Sequence, residues 1–279
     1  MKKKLIKYFK SLGIEVYTNT KARGHQGFFL KNRIDVSKNT PEEKIIPTLL
    51  HEFAHFIHNK MESNVAKTGG SLKVIFNIDG IEKKVFFDEL LRITNYVDEN
   101  SLALKLKSHR KLVKDKILLH DKEIKKYYPN FQRSKKFKEF DKYIKRSKAK
   151  YLLKYDAVKF VTPFLRRIEV FSINNIEVDF PDMPTAFQAY LKLRSAQRKA
   201  TRISARINKI NKYYEKPTEL FSRFVECLYL NEARACALAP HCAKRFYELL
   251  DSGYYHELKI VFEMLKNDYV DISKLNLCI

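Results

Sequence analysis

The segment His51-Glu52-Phe53-Ala54-His55 constrains this chain more than any other. On a helix, residues four apart share a face about one turn from each other, so the two imidazoles can reach one tetrahedral zinc ion. Glu52 then stands beside the remaining coordination position, where a carboxylate can take a proton from water and return it to a leaving amine. The flanking sequence supports the helix. Thr40-Pro41-Glu42-Glu43 reads as its start, with Thr40 as cap, Pro41 at the first position and Glu43 where a capping-box acid belongs. Ile45, Ile46, Leu49, Leu50, Phe53, Ala54, Phe56 and Ile57 supply a buried face. Pro47 removes a backbone donor and is expected to kink or restart the helix, leaving residues 48–60 helical in either case.

Two histidines leave a zinc site short of a third protein ligand. His58 lies one turn beyond His55, but the pattern H-E-x-x-H-x-x-G-x-x-H would need glycine at 58 and histidine at 61, where the chain has His58 and Met61. His58 is therefore expected to face solvent or fill a packing position. Carboxylate ligands of such sites usually sit on a second helix, and the segment Tyr213 to Glu226 is the best candidate for one. Pro217-Thr218 marks a helix start. Glu219, Arg223 and Glu226 follow at i, i+4 and i+7 on one stripe, with Leu220, Phe221, Phe224 and Val225 toward a core. Taken alone, that stripe reads equally as an ordinary solvated face.

The two segments together resemble the zincin-like metallopeptidases (gluzincins) of phages and mobile elements, of the polyvalent-protein type. In these a later helix close to P-x-E-x-F-A-R-x-F-E follows the histidine helix, often after paired tyrosines. The chain is more distantly similar to lethal-factor-type and ImmA/IrrE-type peptidases. The resemblance covers residues 14–60 and 213–232. It implies His51, His55 and Glu219 as zinc ligands, with Glu226 as the fallback third ligand, and Glu52 as the base. It also implies that Tyr213 or Tyr214 stabilises the oxyanion. Arg223 and Glu226 are expected either to hold the ligands by charged hydrogen bonds or to form a structural ion pair. The departure from the family is distance: about 160 residues separate His55 from Glu219.

The fold expected is therefore α+β, mainly α: a zincin-like core, made of a small antiparallel sheet, the histidine helix and a third-ligand helix, interrupted by a large basic helical insertion. The N-terminal half of the core would span residues 1–68, the insertion 69–205 and the C-terminal half 206–279. Short extended runs at 14–17, 27–30 and 33–36 supply the sheet. Residues 72–87 alternate around Asp79-Gly80 and suggest a β-hairpin. Residues 88–165 read as helical, 168–180 as extended or irregular, and 185–214 as helix again.

Charge adds a second theme. The 55 Lys and Arg outnumber 32 Asp and Glu, and a field of that sign concentrates anionic partners. Between Lys105 and Lys159 there are 20 basic against 6 acidic residues, and from Lys192 to Lys212 there are eight basic residues and no acid. The partners expected are thus a protein or peptide substrate and, through the insertion, nucleic acid or an acidic molecule. In the competing reading the basic helices bind DNA or RNA and the zinc site is structural or vestigial. A weaker zinc site would join Cys236, His241 and Cys242. The four cysteines fall within the last 53 residues and read as reduced thiols. No run approaches the roughly 18 to 20 apolar residues of a membrane span, and lysines at 7 and 10 interrupt any signal-peptide core. A cytoplasmic protein is expected, short of an export route that reads no N-terminal signal.

Overall fold

A computed structural model describes residues 1–21, 26–97, 102–133, 138–161 and 168–275, with side chains to residue 267. The chain is mostly helical with small sheets, and it divides into two compact units. One combines residues 1–99 with 212–279; the other is residues 100–211.

The first unit begins with helix α1 (Lys2–Ser11) and strands β1 (Glu15–Thr20), β2 (Gly27–Leu30) and β3 (Arg33–Ser37). The sheet order is β1-β3-β2, with β2 antiparallel and β1 parallel to the central β3. The sheet is therefore mixed rather than purely antiparallel: only β2 and β3 are joined by a tight turn, at Lys31-Asn32, where Lys31 has φ 56°. Helix α2 (Glu42–Met61) lies against the sheet. It is continuous through Pro47. The carbonyl deprived of its donor belongs to Glu43, an exposed residue of the first turn, so water can satisfy it. Thr40 does not cap the helix; its hydroxyl donates to the Gln26 carbonyl at 3.0 Å and ties the helix start to the approach to β2. Phe9 of α1 stacks on Phe53 at 4.2 Å, and Phe29 of β2 meets Phe56 edge-on at 6.2 Å.

The expected hairpin at 72–87 is absent. Residues 65–68 form α3 (Val65–Thr68), followed by α4 (Leu72–Ile75) and α5 (Lys83–Val97). Of the buried apolar residues, Leu72, Ile75 and Phe76, then Phe86, Leu90 and Ile93, recur at helical spacing; Ile78 is buried beyond the end of α4, and Val74 is only partly covered. Arg245 donates to the carbonyls of Phe76 and Asn77 and closes the end of α4. Because α4 and α5 share the core of the first unit, the inserted segment starts at residue 100 and not at 69, and it ends at 211 rather than 205.

The second unit holds α6 (Leu102–Tyr127), α7 (Lys138–Lys145), the antiparallel pair β4 (Ala157–Val161) and β5 (Ile168–Ser172), α8 (Ile176–Asp179) and most of α9 (Thr185–Tyr214). Strand β4 replaces helix expected there; its alternating burial is that of a strand half covered on one face. The chain then returns to the first unit through α10 (Pro217–Leu230), α11 (Glu232–Leu238), α12 (Pro240–Asp251) and α13 (His256–Leu275). Pro217 takes the first helical position of α10, which packs against both α2 and α5. No helix among the described residues is long and apolar enough to cross a membrane.

Candidate metal centre

Helix α2 turns Leu50, Phe53, Ala54 and Ile57 into the core, which leaves His51, Glu52 and His55 on the side facing α10 and the cleft. From α10, the apolar residues Leu220, Phe221, Phe224 and Val225 anchor the helix and direct Glu219 and Glu226 back toward the histidines. The two oxygens of Glu219's carboxylate are divided between the histidines: Oε2 lies 3.6 Å from Nε2 of His51 and Oε1 lies 3.4 Å from Nε2 of His55. Ligand atoms bound tetrahedrally at about 2.0–2.2 Å stand roughly 3.3–3.6 Å apart, so these separations suit a shared ion. His51, His55 and Glu219 are the group of metal-ligating side chains found among the described residues, their ligand atoms all within 4.8 Å. They could hold a metal ion.

The surroundings fit a cation. Nδ1 of His51 meets Oε2 of Glu226 at 3.0 Å, and the same oxygen accepts from Nη1 of Arg223 at 3.1 Å. With Nδ1–H held by Glu226, Nε2 of His51 is left facing Glu219, the arrangement by which outer carboxylates orient histidine ligands. Burial by itself would push His51 down, but hydrogen bonds to Glu219 and Glu226 outweigh it and hold the ring at about 10. Two carboxylates thus favour positive charge at this point. His55 is driven the other way, to about 3, by burial against the attraction of Glu219, so it presents a neutral ring. Burial opposes ionisation of Glu219 too, yet the hydrogen bond from His51 and the histidine charges bring it down to about 2.

Glu52 is buried, and burial, reinforced by Glu219 and opposed by His51, raises it to about 7. It lines a cleft of about 270 Å³ together with His55, Glu219 and Tyr213. The Tyr213 hydroxyl hydrogen-bonds Glu219, and burial followed by that carboxylate's charge raises the phenol above its ordinary value. Tyr214 takes a different place: its ring lies 5.7 Å from the Arg223 guanidinium. Of the paired tyrosines, it is Tyr213 that lines the cleft.

His58 is fully buried, accepts the backbone N–H of Ser71 on Nε2 at 3.3 Å and meets Phe221 edge-on. The Cys236, His241 and Cys242 group does not form a cluster: Nδ1 of His241 pairs with Glu89 at 2.6 Å and Cys242 donates its thiol to the Phe86 carbonyl. Cys227, Cys236 and Cys242 are free thiols; Cys278 lies outside the described residues.

Sequence reasoning missed Gly27. A Cβ there would lie 2.6 Å from Cγ2 of Thr48, 3.0 Å from Oε1 of Glu52 and 3.1 Å from the Asp35 carbonyl. The strand passes so close to Glu52 that only glycine fits. An isolated glycine in a strand pattern is the signal that would have marked it.

Comparison of the chain with protein-family models, curated proteins and solved structures yields no match.

Proposed function

We propose that the protein is a zinc-dependent endopeptidase acting on a protein or peptide substrate, with Glu52 as general base. The observation that carries this reading is the convergence of His51 and His55 on α2 with Glu219 on α10, with Glu52 facing the same cleft. Two imidazoles and a carboxylate are a donor set suited to catalytic zinc. Such an ion, when bound, would polarise a scissile carbonyl and make water acidic enough to attack near neutral pH. Glu52 takes the proton from the attacking water and hands it to the leaving amine. Tyr213, whose hydroxyl hydrogen-bonds Glu219, turns that hydroxyl to the oxygen on which negative charge develops. Glu226 fixes the His51 tautomer, and Arg223 keeps Glu226 in place. The substrate backbone pairs with β2, an edge strand that borders the cleft.

The test is Glu52→Gln. It should keep the zinc content of the wild type and lower cleavage of a peptide library by about a hundredfold or more. Cleavage unchanged in that variant would sink the mechanism.

One observation favours a second activity. Residues 100–211 contain 29 Lys and Arg against 10 Asp and Glu, while the remainder of the chain has 26 against 22. Nearly all of the excess positive charge therefore belongs to the second unit, with Lys199, Arg206 and Lys209 exposed along one flank of α9. In this reading the second unit binds nucleic acid through phosphates, and the zinc site is structural. Its signature is a steep linear fall of log affinity with log salt; binding indifferent to salt would end it.

A further inference from the structure

The cleft carries a feature the hydrolytic machinery does not use: two lysines, Lys31 and Lys216, are its cationic lining, and neither has an ion-pair partner among the described residues. Its acidic lining is Glu52 and Glu219, both assigned to the metal and the chemistry.

Lys216 is exposed, but its side chain has neighbours on two sides. It immediately precedes α10, and its stem runs past Gly69: a Cβ built on that glycine would lie 3.4 Å from Cγ and 3.6 Å from Cδ of Lys216. On the other side its ammonium sits 5.7 Å from the centre of the Tyr213 ring, within cation–π range. The segment that holds the stem is itself fixed. The Gly69 carbonyl accepts from the Thr218 backbone at 3.2 Å. Gly70, with φ +80°, lies so close that a Cβ would fall 2.5 Å from Nε2 of His58. The lysine thus rests between a pinned glycine strap and the tyrosine that hydrogen-bonds Glu219. Lys31 stands at the turn ending β2, on the strand proposed to hold the substrate backbone. The cleft's apolar lining comes from Phe28, Phe29, Leu30, Val65 and Ala66.

We propose that Lys216, assisted by Lys31, reads a carboxylate on the substrate close to the cleaved bond: an acidic side chain where the cleavage is internal, or a free C-terminus, which would make the enzyme an exopeptidase instead. This rests on the peptidase reading, and it names the substrate class of the same site. A lysine whose stem already rests against the chain loses less side-chain freedom on pairing with an anion than a freely mobile one, even at an exposed cleft wall.

The test measures binding to the zinc-loaded Glu52→Gln protein, by fluorescence anisotropy, for three labelled peptides of one sequence. One has an internal glutamate and an amidated C-terminus, one has glutamine in its place and a free C-terminus, and one has glutamine and an amide. At least one carboxylate peptide should bind about fivefold more tightly than the uncharged one, and which of the two does so identifies the source of the carboxylate. Adding Lys216→Glu should remove or invert the difference, and adding Lys216→Arg should retain it. Equal binding of all three peptides, or a difference that survives Lys216→Glu, overturns the proposal. Cleavage of the same peptides by the protein with Glu52 intact scores the peptidase reading separately: turnover without carboxylate preference leaves that reading standing and removes this one.

Discussion

The two units treat charge in opposite ways. Among the described residues the first unit buries four carboxylates, Asp35, Glu52, Glu89 and Glu219, whereas the second, with its far greater net positive charge, buries only Asp121. Burying a carboxylate is costly unless it is paired. Three of the four meet that condition. Asp35 receives two hydrogen bonds from Arg33, at 2.7 and 2.8 Å. Glu89 accepts from His241 and from the backbone of Cys242 at the start of α12. Glu219 faces both histidines. Glu52 has no hydrogen-bond partner among the described residues, and its pKa rises accordingly. A perturbed, unpartnered acid in a cleft is the kind of residue that the proposed base role requires. The second unit keeps its charges in water, where each contributes little to folding and much to the surrounding field.

The contrast is broken or sharpened by substitutions in both units. The largest effect is expected from Gly27→Ala. The added methyl must displace Glu52, Thr48 or the strand, and a misplacement of about 1 Å at a reacting group costs on the order of a hundredfold in kcat/KM. Zinc content should stay at the wild-type level, because no ligand is touched; normal activity would show that Glu52 needs no such exact seat. Next is Glu226→Gln, which leaves shape intact but removes the charge behind His51. Zinc affinity, measured by competition with a chelator, should fall about ten- to a hundredfold. An unchanged affinity would make the Arg223–Glu226 contact a structural ion pair only.

The smallest effect belongs to the second unit. Asp156 accepts from Ser195, Arg198 and Arg202, and although burial alone would raise its pKa these contacts lower it to about 2. A carboxylate with a folded pKa below its unfolded value of about 3.9 stabilises the fold above that pH, and the contribution is lost as pH falls from about 4 toward 2. Asp156→Asn should therefore shift the denaturation midpoint slightly at neutral pH and flatten its decline in that acid window. A decline as steep as the wild type's would assign acid sensitivity to other groups.

Much of this was legible in the residues before any coordinates. The spacing of His51 and His55 on an apolar-faced segment placed both rings on one side of a helix, and Pro217 with the Glu219, Arg223 and Glu226 stripe placed the second helix and its polar face. Both follow from local rules, since helical period and capping act over a few residues. The errors also have local causes. Alternation at residues 74, 76 and 78 imitated a strand because period 2 and period 3.6 coincide over short runs, and the packing of Phe76 against Phe86, Phe221 and Phe224 decided for helix.

What the sequence determined alone was the donor chemistry: which side chains could ligate, which could act as a base, and that a basic segment lay between them. What only the tertiary structure decided was proximity. It chose Tyr213 over Tyr214 for Glu219, bonded Glu226 to the outer nitrogen of His51, seated Gly27 against Glu52 and laid the Lys216 stem along Gly69. Those relations join residues far apart along the chain, and no periodicity records them, because they are set by which apolar faces of α2, α5 and α10 bury one another.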